Sequence, residues 1–260
     1  MRPPNILFIP VDDLRPQLGC YGQRQMHTPH LDQLASQGTL FRHAYCQVPV
    51  CGASRASLLT GTRPSRSHFL SFAASVDQER PGALTMPQYF RERGYETLSL
   101  GKVFHHANDT AARSWTAEPW KPATRGGTQW RNYITPEAIA LAQNSGQRGP
   151  PYECADVPDS AYHDGQIADQ AIAELSRLRG SSKPFFLAAG FLKPHLPFNA
   201  PKRYWDLYRE EELALADNPF GPKDAPAAAL HNFGELRHYF SVPPEGPLSE
   251  DLARKLIHGY

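Results

Sequence analysis

The chain has 260 residues, 27 Lys and Arg against 26 Asp and Glu, and a formal net charge of +1; 40% of its residues are hydrophobic and 20% charged. That length suits one large domain or two small ones and buries a core without help from disulfides or a metal. The apolar share with balanced charge excludes a disordered chain, the near-zero charge excludes a general nucleic-acid binder, and no run of 18 apolar residues predicts a membrane span. The first apolar stretch, residues 5–11 (NILFIPV), is too short for a signal-peptide core and runs into two aspartates, so the chain as written is expected to carry no export signal. The same stretch reads as a buried strand, with Pro10 marking its end.

Thr28-Pro29 opens a helix whose apolar face is Leu31, Leu34 and Ala35 and which Gly38 ends. Residues 40–45 are expected as a second strand, residues 54–60 as a short helix closed by Gly61, and residues 85–93 as a helix stopped at Gly94. A strand follows at 95–100. Residues 107–160, rich in Pro, Gly, Trp and polar groups, read as a long loop insertion. The chain's 25 prolines, about twice the usual share of roughly 5%, fall mostly after Pro119 and predict long ordered loops. A helix at 162–179, a strongly apolar strand at 185–190 and a last helix at 249–260 complete the pattern. Alternating strands and helices predict an α/β fold with a mainly parallel sheet flanked by helices, and a ligand site at the carboxyl ends of its strands.

Three polar clusters fall where such a site belongs. Asp12-Asp13 ends the first strand; adjacent carboxylates repel unless a divalent cation neutralises them, although a solvated turn or a helix cap accounts for the pair equally well. Cys51-Gly52-Ala53-Ser54-Arg55 enters a helix, where the N-terminal dipole and Arg55 favour a thiolate or another anion; a buried structural cysteine is the plainer alternative. The other cysteines, Cys20, Cys46 and Cys154, are too scattered for a disulfide scaffold or a zinc knuckle. The third cluster is split between Gly101-Lys102-Val103-Phe104-His105 and Lys193-Pro194-His195, each just beyond a strand that ends in Gly. Taken together these residues suggest a metal site lined with cations that receives a tetrahedral oxyanion.

The stretches VDDLRPQLGCYG (11–22), TPHLDQLASQG (28–38), CGASRASLLTG (51–61), GKVFH (101–105) and KPFFLAAGFLKPHLPF (183–198) resemble the sulfatases of the alkaline-phosphatase-like superfamily, and most nearly their iduronate-2-sulfatase group. The resemblance implies that Cys51, in a C-x-P/A-S-R motif with Ala53 at the variable place, is oxidised to formylglycine by a formylglycine-generating or anaerobic sulfatase-maturating enzyme. The hydrated aldehyde then offers one hydroxyl to attack sulfur and another to expel sulfate. It implies one calcium ion held by Asp12, Asp13 and residue 51, with Arg55 stabilising the hydrate and Lys102 contacting sulfate. His105 becomes the base for elimination, His195 a sulfate contact and proton donor, and Lys193 either a contact or a rim charge.

The family's later acidic pair and second sulfate-binding lysine have no counterpart after His195, so the chain is expected to be the N-terminal portion of a sulfatase catalytic domain, with the loop-rich insertion at about 107–160. The expected substrate is a sulfated oligo- or polysaccharide, with Trp115, Trp120 and Trp130 either sugar platforms or ordinary packing. The family is often exported or lysosomal, which leaves localisation open. The alternatives are an inert fragment acting as a binding module and a phosphatase or phosphonate hydrolase of the same superfamily.

Overall fold

The apolar run FFLAAG becomes the central strand of a three-stranded parallel sheet and is buried at every residue. A computed structural model describes residues 3–124, 128–144, 146 and 148–260. In chain order its elements are β1 (Ile6–Phe8), α1 (Pro29–Gln37), α2 (Cys51–Thr60), α3 (Val76–Glu79), α4 (Met86–Arg91), β2 (Glu96–Gly101), α5 (Ala111–Ser114), α6 (Pro136–Asn144), β3 (Tyr152–Ala155), α7 (His163–Leu178), β4 (Phe185–Gly190), β5 (Phe198–Pro201), α8 (Lys202–Trp205), α9 (Gly234–Arg237) and α10 (Glu250–Gly259). The chain divides into two compact units: Met1–Pro122 with Gln166–Leu192, and Ala123–Gly165 with Lys193–Tyr260. Among the described residues no helix is long and apolar enough to cross a membrane.

The first unit is built on the order β1-β4-β2, all parallel, with Leu7 opposite Leu187 and Leu98 opposite the same residue on the other side. Side chains alternate across a strand, and β4 uses both faces. Phe186 and Ala188 pack with Ala53, Ala56 and Leu59 of α2, and Phe185, Leu187 and Ala189 pack with Ile167, Ala171 and Leu178 of α7. Each fully buried Phe or Leu contributes about 1.5–3 kcal/mol, which makes β4 the strand on which the unit depends. Thr85 caps α4 by accepting from the Gln88 amide at 3.2 Å, and Gly94, at φ 83°, turns the chain into β2.

Three sequence expectations change here. Residues 40–45 form no strand: no described strand pairs with them, and Phe41 and Tyr45 stand 71% and 81% exposed. α1 forms where expected, but Leu34 on its apolar face is 65% exposed. The Thr28 hydroxyl does not cap the helix; it accepts from the Gly19 amide at 2.9 Å and donates to Asp32 at 3.1 Å. Residues 107–160 hold α5, α6 and β3, whose brevity hides their periodicity.

The second unit carries β3 paired in parallel with β5, Tyr152 opposite Phe198. Glu153, buried in β3, accepts from the Ile134 and Thr135 amides at 3.0 and 2.9 Å and from the Tyr162 hydroxyl at 2.7 Å. Those bonds satisfy a carboxylate that burial would otherwise penalise. α10, capped by Ser249 on the Leu252 amide, brings Tyr260 edge-on to Phe198.

Candidate active site

Each site residue of the first unit is delivered by the end of a regular element. Beyond β1 the ladder continues through Phe191 N–H to the Pro10 carbonyl (2.9 Å) and Asp12 N–H to the Phe191 carbonyl (3.2 Å), which fixes Asp12 at the carboxyl end of the sheet. Cys51 is the first residue of α2, and Arg55 follows one turn later. Lys102 and His105 follow β2, and the Lys102 amide donates to the Gly190 carbonyl at 2.9 Å. That approach needs glycine: a Cβ on Gly190 would run into the Lys102 carbonyl.

Gly52 has the same role for the cysteine, because a Cβ there would overlap the Phe72 carbonyl. Backbone offers no flexible atom to move aside. Gly52→Ala is therefore expected to lower stability by about 1–3 kcal/mol, the usual range for overpacking, read as a lower urea midpoint. An unchanged midpoint would show that the α2 entry is looser than this geometry.

The charges meet at Asp12. Its buried carboxylate forms an ion pair with the Lys102 ammonium and lies 3.4 Å from Arg55 Nη2. Arg55 Nη1 also donates to the Lys102 and Val103 carbonyls, at 2.5 and 2.9 Å. Cys51 is half-buried beside this group, and burial pushes its thiol up from the ordinary value; Lys102 pulls it down, while Asp12 and Asp13 push it up again. Burial, which favours the thiol, outweighs the Lys102 charge, so of the alternatives the sequence leaves open this environment does not favour the thiolate.

His105 is lowered to about 4, first by burial and then by Lys102 and His106, whose ring lies edge-on at 4.7 Å. Its Nδ1 is buried with no hydrogen-bond partner among the described residues. A neutral imidazole results, able to accept a proton at pH 7. An unfolded histidine titrates near 6.5. Between about 4 and 6.5 the unfolded chain therefore binds more protons than the folded one, and stability rises with pH over that window. His163, lowered to about 4 mainly by burial, contributes in the same direction. The urea midpoint is expected to climb from pH 4 to pH 6.5, and His105→Asn to flatten part of that climb; an equally steep climb in the variant would assign it elsewhere.

Asp13 lies exposed at a left-handed φ of 56°. Among the described residues no group of three or more His, Cys, Asp or Glu side chains is placed to hold a metal ion. Calcium takes about six to eight oxygens, and Asp12 is already neutralised by two cations. The described residues do not by themselves fit a calcium ion.

His195 lies in the second unit, apart in the chain's division from Asp12, Cys51, Arg55, Lys102 and His105, which the first unit gathers. Its Nδ1 is 2.6 Å from the Leu196 carbonyl, and its ring meets Trp130 edge-on at 5.5 Å. Lys193 turns back on its own loop, donating to the His195 and Pro197 carbonyls at 3.0 and 2.5 Å. Trp115 belongs to the core and Trp120 packs against the α7 face of the sheet, so of the three tryptophans only Trp130 stands at the surface. Phe72 beside His105, and Glu235 beside His195, escaped the sequence reading because they lie far from the motifs in sequence, whereas His106 directly follows His105 and adjacency was the signal available for it.

The sulfatase family profile matches residues 4–241. The iduronate 2-sulfatase of Mus musculus is 38% identical over 274 residues, covering 98% of this chain and 48% of that protein, so the chain spans about half the length of this curated relative. A phosphonate monoester hydrolase from Silicibacter pomeroyi superposes with a TM-score of 0.67 at 23% identity, covering 99% of this chain and 56% of that one, a likeness of fold alone. A protein solved in complex with its substrate D-glucosamine-2-N,6-O-disulfate matches with a TM-score of 0.51 at 25% identity, covering 74% of this chain and 35% of that one. The parallel α/β frame is the alkaline-phosphatase-like one these structures share. With the profile running over nearly all of its length, this chain belongs to the sulfatase family.

Proposed function

We propose that the full-length protein hydrolyses sulfate esters of a sulfated oligo- or polysaccharide, with Cys51 matured to formylglycine by a formylglycine-generating or anaerobic sulfatase-maturating enzyme. The observation that carries this reading is Cys51 at the head of α2 in electrostatic reach of Lys102 and Asp12, with Arg55 on the next turn. As formylglycine, residue 51 would supply a hydrated aldehyde whose hydroxyls attack sulfur and expel sulfate.

The chain's own residues divide the remaining work. Arg55, held by two carbonyls, keeps a fixed positive charge beside residue 51, and Lys102 offers an ammonium to a sulfate oxygen. His105, neutral, takes a proton. His195 contributes a sulfate contact and a proton to the leaving alcohol. Asp12 and Asp13 are the carboxylates this chain would offer a calcium ion, which would need further oxygens besides theirs. The relative bound to disulfated glucosamine and the iduronate 2-sulfatase relative support a sulfated sugar as substrate.

Mass spectrometry of the peptide containing Cys51, after expression beside a formylglycine-generating enzyme, tests the reading. The expected mass is that of the aldehyde or its hydrate. A peptide that stays a thiol would remove the sulfatase mechanism and favour the binding-module alternative.

A further inference from the structure

The His105 imidazole lacks the hydrogen bond that usually orients such a ring: its Nδ1 is buried with no partner among the described residues. Two aromatic rings stand against it instead, both within the first unit. Phe72 lies 6.2 Å away between ring centres, inclined at 64°, and His106 lies 4.7 Å away at 90°. Both distances fall in the range at which aromatic pairs hold an edge-to-face arrangement. The two rings are themselves tied to the frame. Phe72 sits in a turn closed by the Ala74 amide, which donates to the Ser71 carbonyl at 3.2 Å, and the Phe72 carbonyl lies against Gly52 at the head of α2. His106 Nε2 is 3.4 Å from the Ala73 carbonyl, and the His106 carbonyl accepts from the Asp109 amide at 2.9 Å. The buried Asp109 carboxylate accepts from the Ser75 hydroxyl at 3.0 Å and from the Val76 and Asp77 amides at 2.8 and 3.0 Å. Segments 71–77 and 105–109 are thereby fastened to each other.

We propose that Phe72 and His106 are positioning residues for His105, an aromatic clamp that sets the angle of its imidazole. The proposal rests on the reading of His105 as the base for elimination. A base must bring one ring nitrogen within about 2.6–3.2 Å of the proton it takes, and a misplacement of about 1 Å costs on the order of a hundredfold in rate. Ring contacts orient an imidazole without occupying a nitrogen, which leaves the proton-accepting lone pair free. A hydrogen bond to that nitrogen would have to break first. Phe72 is 62% exposed, so its ring adds little to the core, and His106 is exposed as well. Both act through His105 and neither takes the proton itself.

Two measurements test the clamp in Phe72→Leu, Phe72→Tyr, His106→Leu and His106→Phe: turnover of a sulfated sugar by the full-length protein, and the imidazole NMR signals of His105 in the 260-residue chain. Each leucine variant is expected to lower kcat by about tenfold or more with KM within about twofold. Phe72→Tyr and His106→Phe keep a ring and are expected to stay within about threefold of wild type. The His105 ring signals are expected as one sharp set in the wild type and as a broadened or doubled set in the leucine variants. Matching urea midpoints, which the exposure of both side chains predicts, keep these effects apart from misfolding. A rise in KM with kcat unchanged would make the ring a substrate contact and overturn the clamp. So would an equal loss in the variants that keep a ring, or unaltered His105 signals in both leucine variants. His105→Ala is the reference for the underlying reading: if it leaves kcat unchanged, His105 is not the base, while the NMR signals still decide whether the two rings hold it.

Discussion

Cys51→Ala is expected to abolish the sulfate-ester hydrolysis proposed for the full-length protein, lowering kcat/KM by at least about four orders of magnitude, the scale on which removal of a covalent nucleophile acts. The fold should not change. Cys51 is half-buried at the first position of α2, and the helix is anchored by Ala53, Ala56 and Leu59, which pack on β4. Alanine is the best helix former, so the first turn survives. Gly52, whose contact with the Phe72 carbonyl sets the entry of the chain into the helix, is untouched. A matching urea midpoint together with lost turnover on a panel of sulfated sugars is the expected pair of results. If more than about one part in a hundred of the activity remained, residue 51 would not be the nucleophile, and the charges around Asp12 would need another role.

The frame of the first unit was legible because its elements are long or fully apolar. FFLAAG has no polar side chain to expose, and helix α7 repeats Ile167, Ala171 and Leu178 along one face. Strand ends then led to the site. Asp12 and Lys102 lie just beyond β1 and β2, and Cys51 heads a helix, so local sequence order was enough to nominate them. What failed were features decided by the surroundings. Residues 40–45 look apolar enough for a strand, but a strand exists only where another pairs with it. Position at a helix N-terminus argued for a thiolate at Cys51, while the balance is set by burial and by Asp12 and Asp13, which lie far from it in sequence. Ala73 and His106 stand 33 residues apart, and nothing in either neighbourhood announces the other.

Asp12→Ala is expected to destabilise the protein by about 3–5 kcal/mol, the range for removing one partner from a buried ionic group. The size follows from what stays behind. Arg55 and Lys102 have side chains only 7% and 16% exposed, and both turn to the same Asp12 oxygen. With the carboxylate gone, Arg55 keeps its two bonds to the Lys102 and Val103 carbonyls but loses its counter-charge, and the Lys102 ammonium loses its ion-pair partner. Two buried like charges then face each other near the end of β2, where the effective dielectric is low. The exposed Arg177–Glu96 pair, with Arg177 52% exposed, gives the contrast within the same unit. Glu96→Ala should cost no more than about 1 kcal/mol. Urea denaturation of both variants at one pH separates the cases. Equal shifts would mean that water reaches Asp12 freely. A large loss in Asp12→Ala alone would mean that this carboxylate holds the two cations in place, before any metal joins it.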